Sequence, residues 1–478
     1  MNALAIPRPA LLGAIFIFNF IEFFQTGMVV FAIGPTLGQV NASPEEYGAI
    51  TALYASVAVL AISQMTVLIQ RFGWRDHLLA GVLIFVCGSW LCAASDSVGS
   101  FALGRTLMAL GGGGFMTSAR MMVNLIFPPQ ERVIGIAAFA GAVATGISLG
   151  PWAAGAMVAR EAWGGIYLAL AALAILGSVL AARYLPLDAV TLDGTPTRPH
   201  TLDAVLLAGG AAVTLYALQR LAYDWHGERA HLVWLLVAGI GLLAAFGFLH
   251  ARRAYPFLHL SILRSRRFQV GLAIFSMCYV VLGIVNTALP QLVQRALGIG
   301  FEQAGNLQSM GMAFTPLGLV VLLATVKKRP HATKFYVAAF LMLALMGWRF
   351  SHLDPRGHVW DTVTFWIGLF GVFLIFGMAT TAIHSFKDFV ADNVKFSHAQ
   401  QFKNMLGQAG LALGVGVTSA VMQERAALHT ARLAEAAGSP AAPVAQQVLL
   451  LASMDIFWVV MWVGMLGAAL LFFQRSFD

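Results

Sequence analysis

The chain has 478 residues, of which 59% are hydrophobic and only 10% are charged, and its formal net charge is +8. Soluble domains carry about 25% charged residues, so this composition excludes a chain folded around one aqueous core and predicts a polytopic membrane protein. A soluble protein this basic would suggest a nucleic acid partner. Here the basic residues lie in short loops between apolar runs, so we expect contact with a lipid bilayer and with no nucleic acid.

Fourteen apolar segments are candidate membrane spans, each of which needs about 20 mostly apolar residues. Two of them, 203–220 and 400–423, are weaker than the rest, and a twelve-span count is the main alternative. In chain order the predicted spans are 11–33, 47–69, 76–95, 100–125, 131–158, 163–184, 203–220, 230–250, 268–294, 303–325, 333–350, 360–384, 400–423 and 450–473.

The loops between these segments predict the orientation. With the N-terminus in the cytoplasm, most of the 29 Lys and Arg residues fall in or beside cytoplasmic segments, among them Arg71, Arg75 and Arg252. This positive-inside bias predicts an even number of spans, both termini in the cytoplasm, and an integral protein of the bacterial plasma (inner) membrane.

Two longer polar stretches interrupt the pattern. The stretch 185–202 is rich in Pro, Thr and Asp and is typical of a linker. The stretch 424–448 is predicted to lie outside, either as an amphipathic surface helix followed by a break or as a loop. It leaves room for a periplasmic adaptor protein as a partner.

The sequence offers no support for enzyme chemistry. Cys87, Cys92 and Cys278 all lie inside apolar runs, where they read as packing residues rather than as metal ligands or disulfides. The glycine run 111–114 lies within an apolar span and lacks the preceding strand of a phosphate-binding loop. We therefore predict no catalytic residues, no metal site and no cofactor.

Three segments, taken together, carry a resemblance. "LIQRFGWRD" spans 68–76, "LGRTLMALGGGGF" spans 103–115 and "GISLGPWAAG" spans 146–155. In this order they resemble motifs A, B and C of the major facilitator superfamily, and most closely the fourteen-span drug/proton antiporters. The resemblance implies an all-α polytopic fold with two six-helix bundles and two extra transmembrane helices.

That fold would divide the chain into three parts. Residues 1–184 would form the N-terminal six-helix bundle, and residues 185–266 the linker and the two extra helices. Residues 267–478 would form the C-terminal six-helix bundle. The transport site would then lie between the bundles near the middle of the membrane.

The first motif implies a cytoplasmic gating loop formed by Arg71, Gly73, Arg75 and Asp76. In the family this loop holds the first bundle in one state through ion pairs. The family's acid before the first arginine is replaced by Gln70, so Asp76 is expected to substitute or the clamp to be weaker. The alternative is ordinary positive charge in a cytoplasmic loop.

The third motif places small residues at Gly146, Gly150 and Gly155, with Pro151 among them. The spacing gives one smooth helix face, and the proline disturbs the helical hydrogen bonds. In the family this face packs against the other bundle and is associated with antiport, which favours export. The alternative is close helix packing without directional meaning.

Glu22 is a carboxylate within the apolar first span, in the stretch "NFIEFFQTG". Such a residue persists in a membrane when it faces a cavity or has a partner. Asn19, Glu22 and Thr26 share one helix face, which we expect to line a central cavity together with Gln25. The family's acid aligns with Thr26, one turn further. Glu22 is therefore predicted to couple protons, with structural pairing to a buried arginine as the alternative.

Other polar residues within spans are weaker candidates. Arg105 takes the arginine position of the second motif, which in the family supports proton coupling; packing against backbone carbonyls is the alternative. Tyr279 and Asn286 are predicted to line the substrate cavity. Arg120 and Lys403 lie nearer the span ends, where they either snorkel to the interface or face the pathway.

The predicted function is export of small amphipathic or cationic compounds, driven by the proton gradient through alternating access, as in multidrug efflux. One alternative is export of an organic anion, such as a fatty acid or a siderophore-like metabolite, with Arg105, Arg120 and Lys403 supplying the positive charge. A further alternative is a membrane sensor or scaffold that transports nothing.

Overall fold

The computed structural model describes residues 8–185, 192, 197–221, 223, 229–326, 331–355, 357, 359–390, 392–437 and 442–474. All regular secondary structure in these ranges is helical, as the composition predicts. The α-helices are α1 (Arg8–Phe31), α2 (Ile33–Gln39), α3 (Pro44–Phe72), α4 (Trp74–Ala93), α5 (Val98–Gly112), α6 (Phe115–Met122), α7 (Arg132–Ala159), α8 (Gly165–Tyr184), α9 (Thr201–Arg220), α10 (Arg229–His250), α11 (Arg266–Pro290), α12 (Phe301–Met312), α13 (Phe314–Val326), α14 (Ala332–Ser351), α15 (Val359–His384), α16 (Asn393–Ala437) and α17 (Ala442–Phe472).

Twelve helical segments of the described chain are long and apolar enough to cross a membrane. Two predicted spans fall outside this set. The span 100–125 is divided into α5 and α6 at Gly113 and Gly114, so neither part reaches the length of a span. The span 333–350 corresponds to α14, whose hydropathy is lowered by Lys334 and Arg349. The fourteen-span count therefore remains a prediction.

The helices alternate in direction between two faces of the bundle. The Gly73 face is the side on which α3 ends and α4 begins, and the Asn41 face is the side on which α2 turns into α3. Gly73 has φ +86°, which a glycine adopts without steric cost, so the chain reverses there within one residue. On the opposite side Ser43 and Glu46 form a capping box that starts α3.

The glycines of the third motif allow α7 to approach α1 closely. A Cβ atom at Gly150 would lie 2.8 Å from the Cα atom of Gly27, and one at Gly146 would lie 3.0 Å from the Cβ atom of Phe23. Any larger residue at these positions would push the two helices apart. The predicted smooth face therefore exists, and part of it packs within the N-terminal set of helices.

The rest of this face packs across to α12. A Cβ atom at Gly305 would lie 2.6 Å from the carbonyl oxygen of Pro151, and Gly155 packs beside Gly305. The backbone N–H of Trp152 donates to Ser309 Oγ at 2.8 Å, next to the position where the proline interrupts the helical bonding. The third motif thus joins a helix from the first half of the chain to one from the second half.

Helix α9 lies in the seam between α3 and α16. Its Gln219 is buried, donates from Nε2 to the carbonyl of Ala412 at 2.9 Å, and packs against Gly48 on α3 and Gly416 on α16. Helix α10 packs chiefly on α9 and leaves most of its surface outward. The proposed division of the chain at residues 184 and 266 remains a prediction.

Helix α16 is longer than the predicted span 400–423. It begins at Asn393 and continues without a break to Ala437, so the first part of the stretch 424–448 is helical. Residues 438–441 lie outside the described ranges, as do most of the predicted linker 185–202 and both chain termini. Within the linker, Gln70 accepts from the Thr197 backbone N–H at 2.9 Å and donates to the Leu192 carbonyl at 3.1 Å.

Candidate functional site

A cavity of about 60 Å³ lies at the centre of the bundle, between α1, α3, α5 and α16. We call it the central cavity. Four predicted site residues line it, namely Glu22, Gln25 and Thr26 on α1 and Arg105 on α5. Glu22 and Thr26, which helix periodicity places on one face of α1, thus both line this cavity.

The Glu22 carboxylate joins α1 to α16 across this cavity. Gln408 Nε2 donates to Glu22 Oε1, with 2.5 Å between the two atoms. The two residues are far apart in sequence, so the bond connects the first and last parts of the chain. A group that can gain or lose a proton thus holds a contact between two elements that could move relative to each other.

Arg105 lies in the same cavity but makes no ion pair with Glu22 or with any other described carboxylate. Its guanidinium group lies over the Tyr54 ring, 4.0 Å from the ring centroid, and Nη1 contacts the Met108 sulfur at 3.9 Å. A cation over an aromatic face is attracted by the ring quadrupole. The ring therefore replaces the carboxylate that the sequence suggested as a partner.

Gln25 and Thr26 complete the polar lining on α1. Gln25 Nε2 donates to the Tyr54 hydroxyl at 2.5 Å, and Thr26 Oγ1 donates to the Glu22 carbonyl at 2.9 Å. Tyr54 thus contacts both Gln25 and Arg105. These bonds hold the polar side chains of three helices around one space.

A second cavity of about 170 Å³ continues from the central cavity toward the Asn41 face. The two share lining residues, including Tyr47 and Thr51. Asn286, predicted to line the substrate cavity, lines this wider outer part together with Gln219. The path from Glu22 thus widens toward the Asn41 face.

Two predicted cavity residues lie elsewhere, so these predictions are corrected. Asn19 Nδ2 donates to the Phe139 carbonyl on α7 at 2.7 Å, because α7 covers α1 at this level, about 10 Å along the axis from Thr26. Tyr279 packs in the interior with its hydroxyl 3.9 Å from the Met116 sulfur and its ring 6.1 Å from that of Phe23. Neither lines the central cavity.

On the Gly73 side of Glu22, polar contacts close the path between α16 and the N-terminal helices. Gln401 Nε2 donates to Thr66 Oγ1 at 2.8 Å, and Asn404 Nδ2 donates to Thr117 Oγ1 at 2.6 Å. Thr66 also lies 3.3 Å from Ser397 Oγ. These bonds connect α16 to α3 and α6 on one side of the membrane only.

The predicted gating residues lie at the turn on the Gly73 face. Arg71 packs over the Phe72 ring at 5.3 Å, and Arg75 Nη1 donates to the Leu185 carbonyl at 3.3 Å. Asp76 is exposed, and it forms no ion pair with any residue in the described ranges. Gln70, at the family's acid position, instead bonds the linker, so the loop is tied to the chain that follows α8.

Tyr54 and Gln408 also line the central cavity, and neither is among the residues predicted for the site from the sequence. Tyr54 was not singled out, although it lies two helical turns from Tyr47 on the same face of an apolar span. Gln408 lies within the weaker predicted span 400–423 and is not among the predicted cavity residues. No cluster of three or more potential metal ligands is found among the described residues.

A bundle of membrane-spanning helices around a central cavity with polar lining defines a helical membrane transporter. The chain belongs to the major facilitator superfamily, whose sequence model matches residues 15–415. Membership in this family of transporters agrees with the prediction that the protein is not an enzyme.

Relatives of known name cover most of the chain. The fatty acid resistance protein FarB of Neisseria gonorrhoeae is 24% identical over 420 residues, covering 87% of this chain and 81% of its own length. The putative multidrug resistance protein MdtD of Pectobacterium atrosepticum is also 24% identical, covering 86% of this chain and 88% of its own. The probable multidrug resistance protein EmrY of Escherichia coli is 23% identical, covering 87% of this chain and 80% of its own length.

Solved structures share the fold. The proton:xylose symporter XylE aligns with a TM-score of 0.61 at 12% identity, covering 97% of this chain and 94% of its own. The human organic anion transporter MFSD10 aligns with a TM-score of 0.59 at 13% identity, covering 96% and 99%. At these identities the likeness shows the fold alone.

Proposed function

We propose that the protein is a proton-coupled antiporter that exports small amphipathic compounds by alternating access. The observation that carries this proposal is the hydrogen bond between Glu22 and Gln408 in the central cavity. It places the acid of the first span against a helix from the other end of the chain. Protonation of that carboxylate would remove the charge that the amide N–H binds, and so would bias how α1 and α16 meet.

In this mechanism the proton and the substrate use the cavity in turn. With the path open to the outside, Glu22 takes up a proton as substrate leaves. With the path open to the inside, Glu22 releases the proton as substrate binds. The N-terminal and C-terminal sets of helices rock around this point, with the third-motif face of α7 as a contact surface.

The proposal includes a topology. We place the Gly73 face in the cytoplasm of a bacterial cell, with the protein in the inner membrane and both termini inside, because the loops on that face carry most of the basic residues. The wider cavity then opens to the periplasm. The helical extension of α16 to Ala437 projects on the periplasmic side, where an adaptor protein would find an exposed surface.

Two substrate classes remain candidates. Cationic or neutral amphipathic compounds fit the partly buried Glu22 carboxylate of the central cavity and the relatives named multidrug resistance proteins. An organic anion fits the buried Arg105, Arg120 and Lys403 and the relative named for fatty acid resistance. In both cases Glu22 carries the proton.

Proton flux in proteoliposomes tests the coupling. Wild-type protein should move protons when a substrate gradient is imposed, whereas Glu22→Gln should abolish this movement because the amide cannot exchange a proton at this position. Glu435→Gln is the matched control, because Glu435 is exposed near the end of α16 and the chemical change is the same. Wild-type proton flux in Glu22→Gln would contradict the proposed role.

A further inference from the structure

A second buried charged site, around Lys403, has no role in the proposed coupling mechanism. Lys403 on α16 is only 1% exposed, and it lies five residues before Gln408, about 7.5 Å nearer the Gly73 face. Its ammonium group lies over three aromatic rings, 4.9 Å from the centroid of Phe275, 5.6 Å from Phe139 and 5.9 Å from Phe386. It forms no hydrogen bond or ion pair with any residue in the described ranges.

A second cation lies close to the same place. Arg120 on α6 is 6% exposed, and its Nε has no hydrogen-bond partner in the described part of the chain. Its Nη2 donates to the Ala382 carbonyl over a long 3.5 Å, and the guanidinium lies 5.1 Å from the centroid of the Phe396 ring. Arg120 thus has donor capacity that the surrounding residues leave unused.

A small cavity lies beside Lys403, and Arg120 reaches its wall through the contact with the Ala382 carbonyl. It measures about 10 Å³, and Lys403 and Ala382 both line it, together with the rings of Phe139 and Phe275. We call it the lysine cavity. Its remaining walls are apolar, from α1, α6, α7 and α15. At this volume the cavity holds at most one water molecule. The contacts of α16 with α3 and α6 close the path from the Gly73 face.

The charges around the lysine cavity do not balance. Asp203 is the fully buried carboxylate of the described ranges, and it pairs with Arg253 and His250. Glu22 is bound by Gln408. Buried cations persist in membrane spans when they face a pathway or find a partner. Here the protein supplies aromatic faces and, beyond direct contact, the attraction of the single Glu22 carboxylate for two cations.

We propose that Lys403 and Arg120 form the binding site for the negatively charged head group of an amphipathic organic anion, whose apolar body packs on Phe139 and Phe275. The site would form when the path opens to the Gly73 face. It deepens the proposed function, since that topology makes the Gly73 face the side from which an exporter loads. Until the substrate arrives, the aromatic rings stabilise the two cations in place of a counter-ion.

Equilibrium binding to the protein in lipid nanodiscs tests this site without any proton gradient. Three probes share a naphthalene body and differ in charge: naphthalene-2-sulfonate, trimethyl-2-naphthylammonium and naphthalene-2-methanol. A sulfonate keeps its charge at all accessible pH values. Titration calorimetry, with binding to empty nanodiscs subtracted, should give the highest affinity for the sulfonate.

Substitutions then locate the binding. Lys403→Met should weaken sulfonate binding at least about tenfold, as the loss of one charge-assisted contact does, while binding of the neutral probe stays unchanged. Lys403→Arg should restore sulfonate binding because it restores the charge. Lys334→Met is the matched control, since Lys334 is exposed at the start of α14. Arg120→Met provides a second measurement if Lys403→Met folds poorly.

Two results would overturn the site. One is equal or tighter binding of the ammonium probe by the wild-type protein. The other is unchanged sulfonate affinity in folded Lys403→Met and Arg120→Met. The proposed role of Glu22 in proton coupling is tested by a different result. It predicts that Glu22→Gln still binds the sulfonate and loses only proton movement. Binding without coupling, or coupling without anion preference, would therefore identify which proposal is wrong.

Discussion

The central cavity and the lysine cavity lie about one and a half helical turns apart along α16, and their charged side chains have different kinds of partner. In the central cavity each charged side chain has a partner within the protein, since Glu22 accepts from Gln408 and Arg105 lies over Tyr54. In the lysine cavity the Lys403 ammonium group lies over aromatic rings, and it forms no hydrogen bond or ion pair within the part of the chain that the structure describes. The first arrangement suits Glu22, whose proposed role is to gain and lose a proton. The second suits Lys403, whose proposed role is to bind the negative charge of a substrate.

The two cavities also differ in access. The central cavity continues into a space of about 170 Å³ toward the Asn41 face, whereas the lysine cavity measures about 10 Å³ and is cut off from the Gly73 face. Polar contacts of α16 on the Gly73 side account for the closure. A movement that breaks these contacts would enlarge the lysine cavity, so the two sites would open to opposite sides of the membrane in turn.

Removal of the Gln408 amide should have the largest effect on proton-coupled transport. Unchanged transport would contradict the proposed difference between the two cavities. We expect Gln408→Leu to lower proton-coupled transport by about 10- to 100-fold, because a hydrogen bond to a charged group contributes about 1.5–3 kcal/mol. Transport by proteoliposomes under an imposed pH gradient measures this. Gln423→Leu, at an exposed position of the same helix, should transport like the wild type.

The next largest effect is expected on thermal stability. The change in Tm should have opposite signs for substitutions in the two cavities. Lys403→Met should raise the Tm by several degrees, because replacing a buried charge that lacks a partner with an apolar side chain stabilises a fold by about 1–4 kcal/mol. Gln408→Leu should lower the Tm, because it leaves the Glu22 carboxylate without its partner. Both are measured as unfolding curves in one detergent. A lower Tm in Lys403→Met would mean that the lysine is already satisfied by the protein.

Substitutions of Tyr54 should have the smallest effect on stability. Two of them distinguish the contribution of the aromatic ring from that of the hydroxyl group. Tyr54→Leu removes the ring beneath Arg105 and should cost about 0.5–2 kcal/mol of stability, the range measured for cation–aromatic contacts. Tyr54→Phe keeps the ring, loses only the bond from Gln25, and should stay closer to the wild type. Equal loss in the two variants would show that the hydroxyl, and not the ring, holds this part of the cavity.

Sequence features were enough to predict the all-helical membrane fold and to single out four residues that line the central cavity, for clear physical reasons. Glu22, Gln25, Thr26 and Arg105 are polar residues in long apolar runs, and helix periodicity suffices to place such residues on an inner face. Asn19 obeys the same periodicity and yet bonds the Phe139 carbonyl, because the level at which α7 covers α1 depends on the packing of two glycine faces.

Other features depend on contacts between distant segments, which a single sequence does not reveal. Gln408 reaches Glu22 from almost the other end of the chain, so its role follows from how α1 and α16 meet. The break at Gly113 and Gly114 within a predicted span, and the continuation of α16 to Ala437, are likewise invisible to hydropathy alone. Local composition therefore predicted which residues are unusual, and tertiary packing determined their partners.

The most direct test compares two transport modes of Glu22→Gln in the same proteoliposomes. Counterflow, in which labelled naphthalene-2-sulfonate exchanges with unlabelled compound across the membrane without a pH gradient, requires the lysine cavity but no net proton movement. Accumulation driven by a pH gradient requires both sites. The account predicts that Glu22→Gln keeps counterflow and loses accumulation. Retention of both modes, or loss of counterflow in a correctly folded variant, would contradict the separation of proton coupling from substrate recognition.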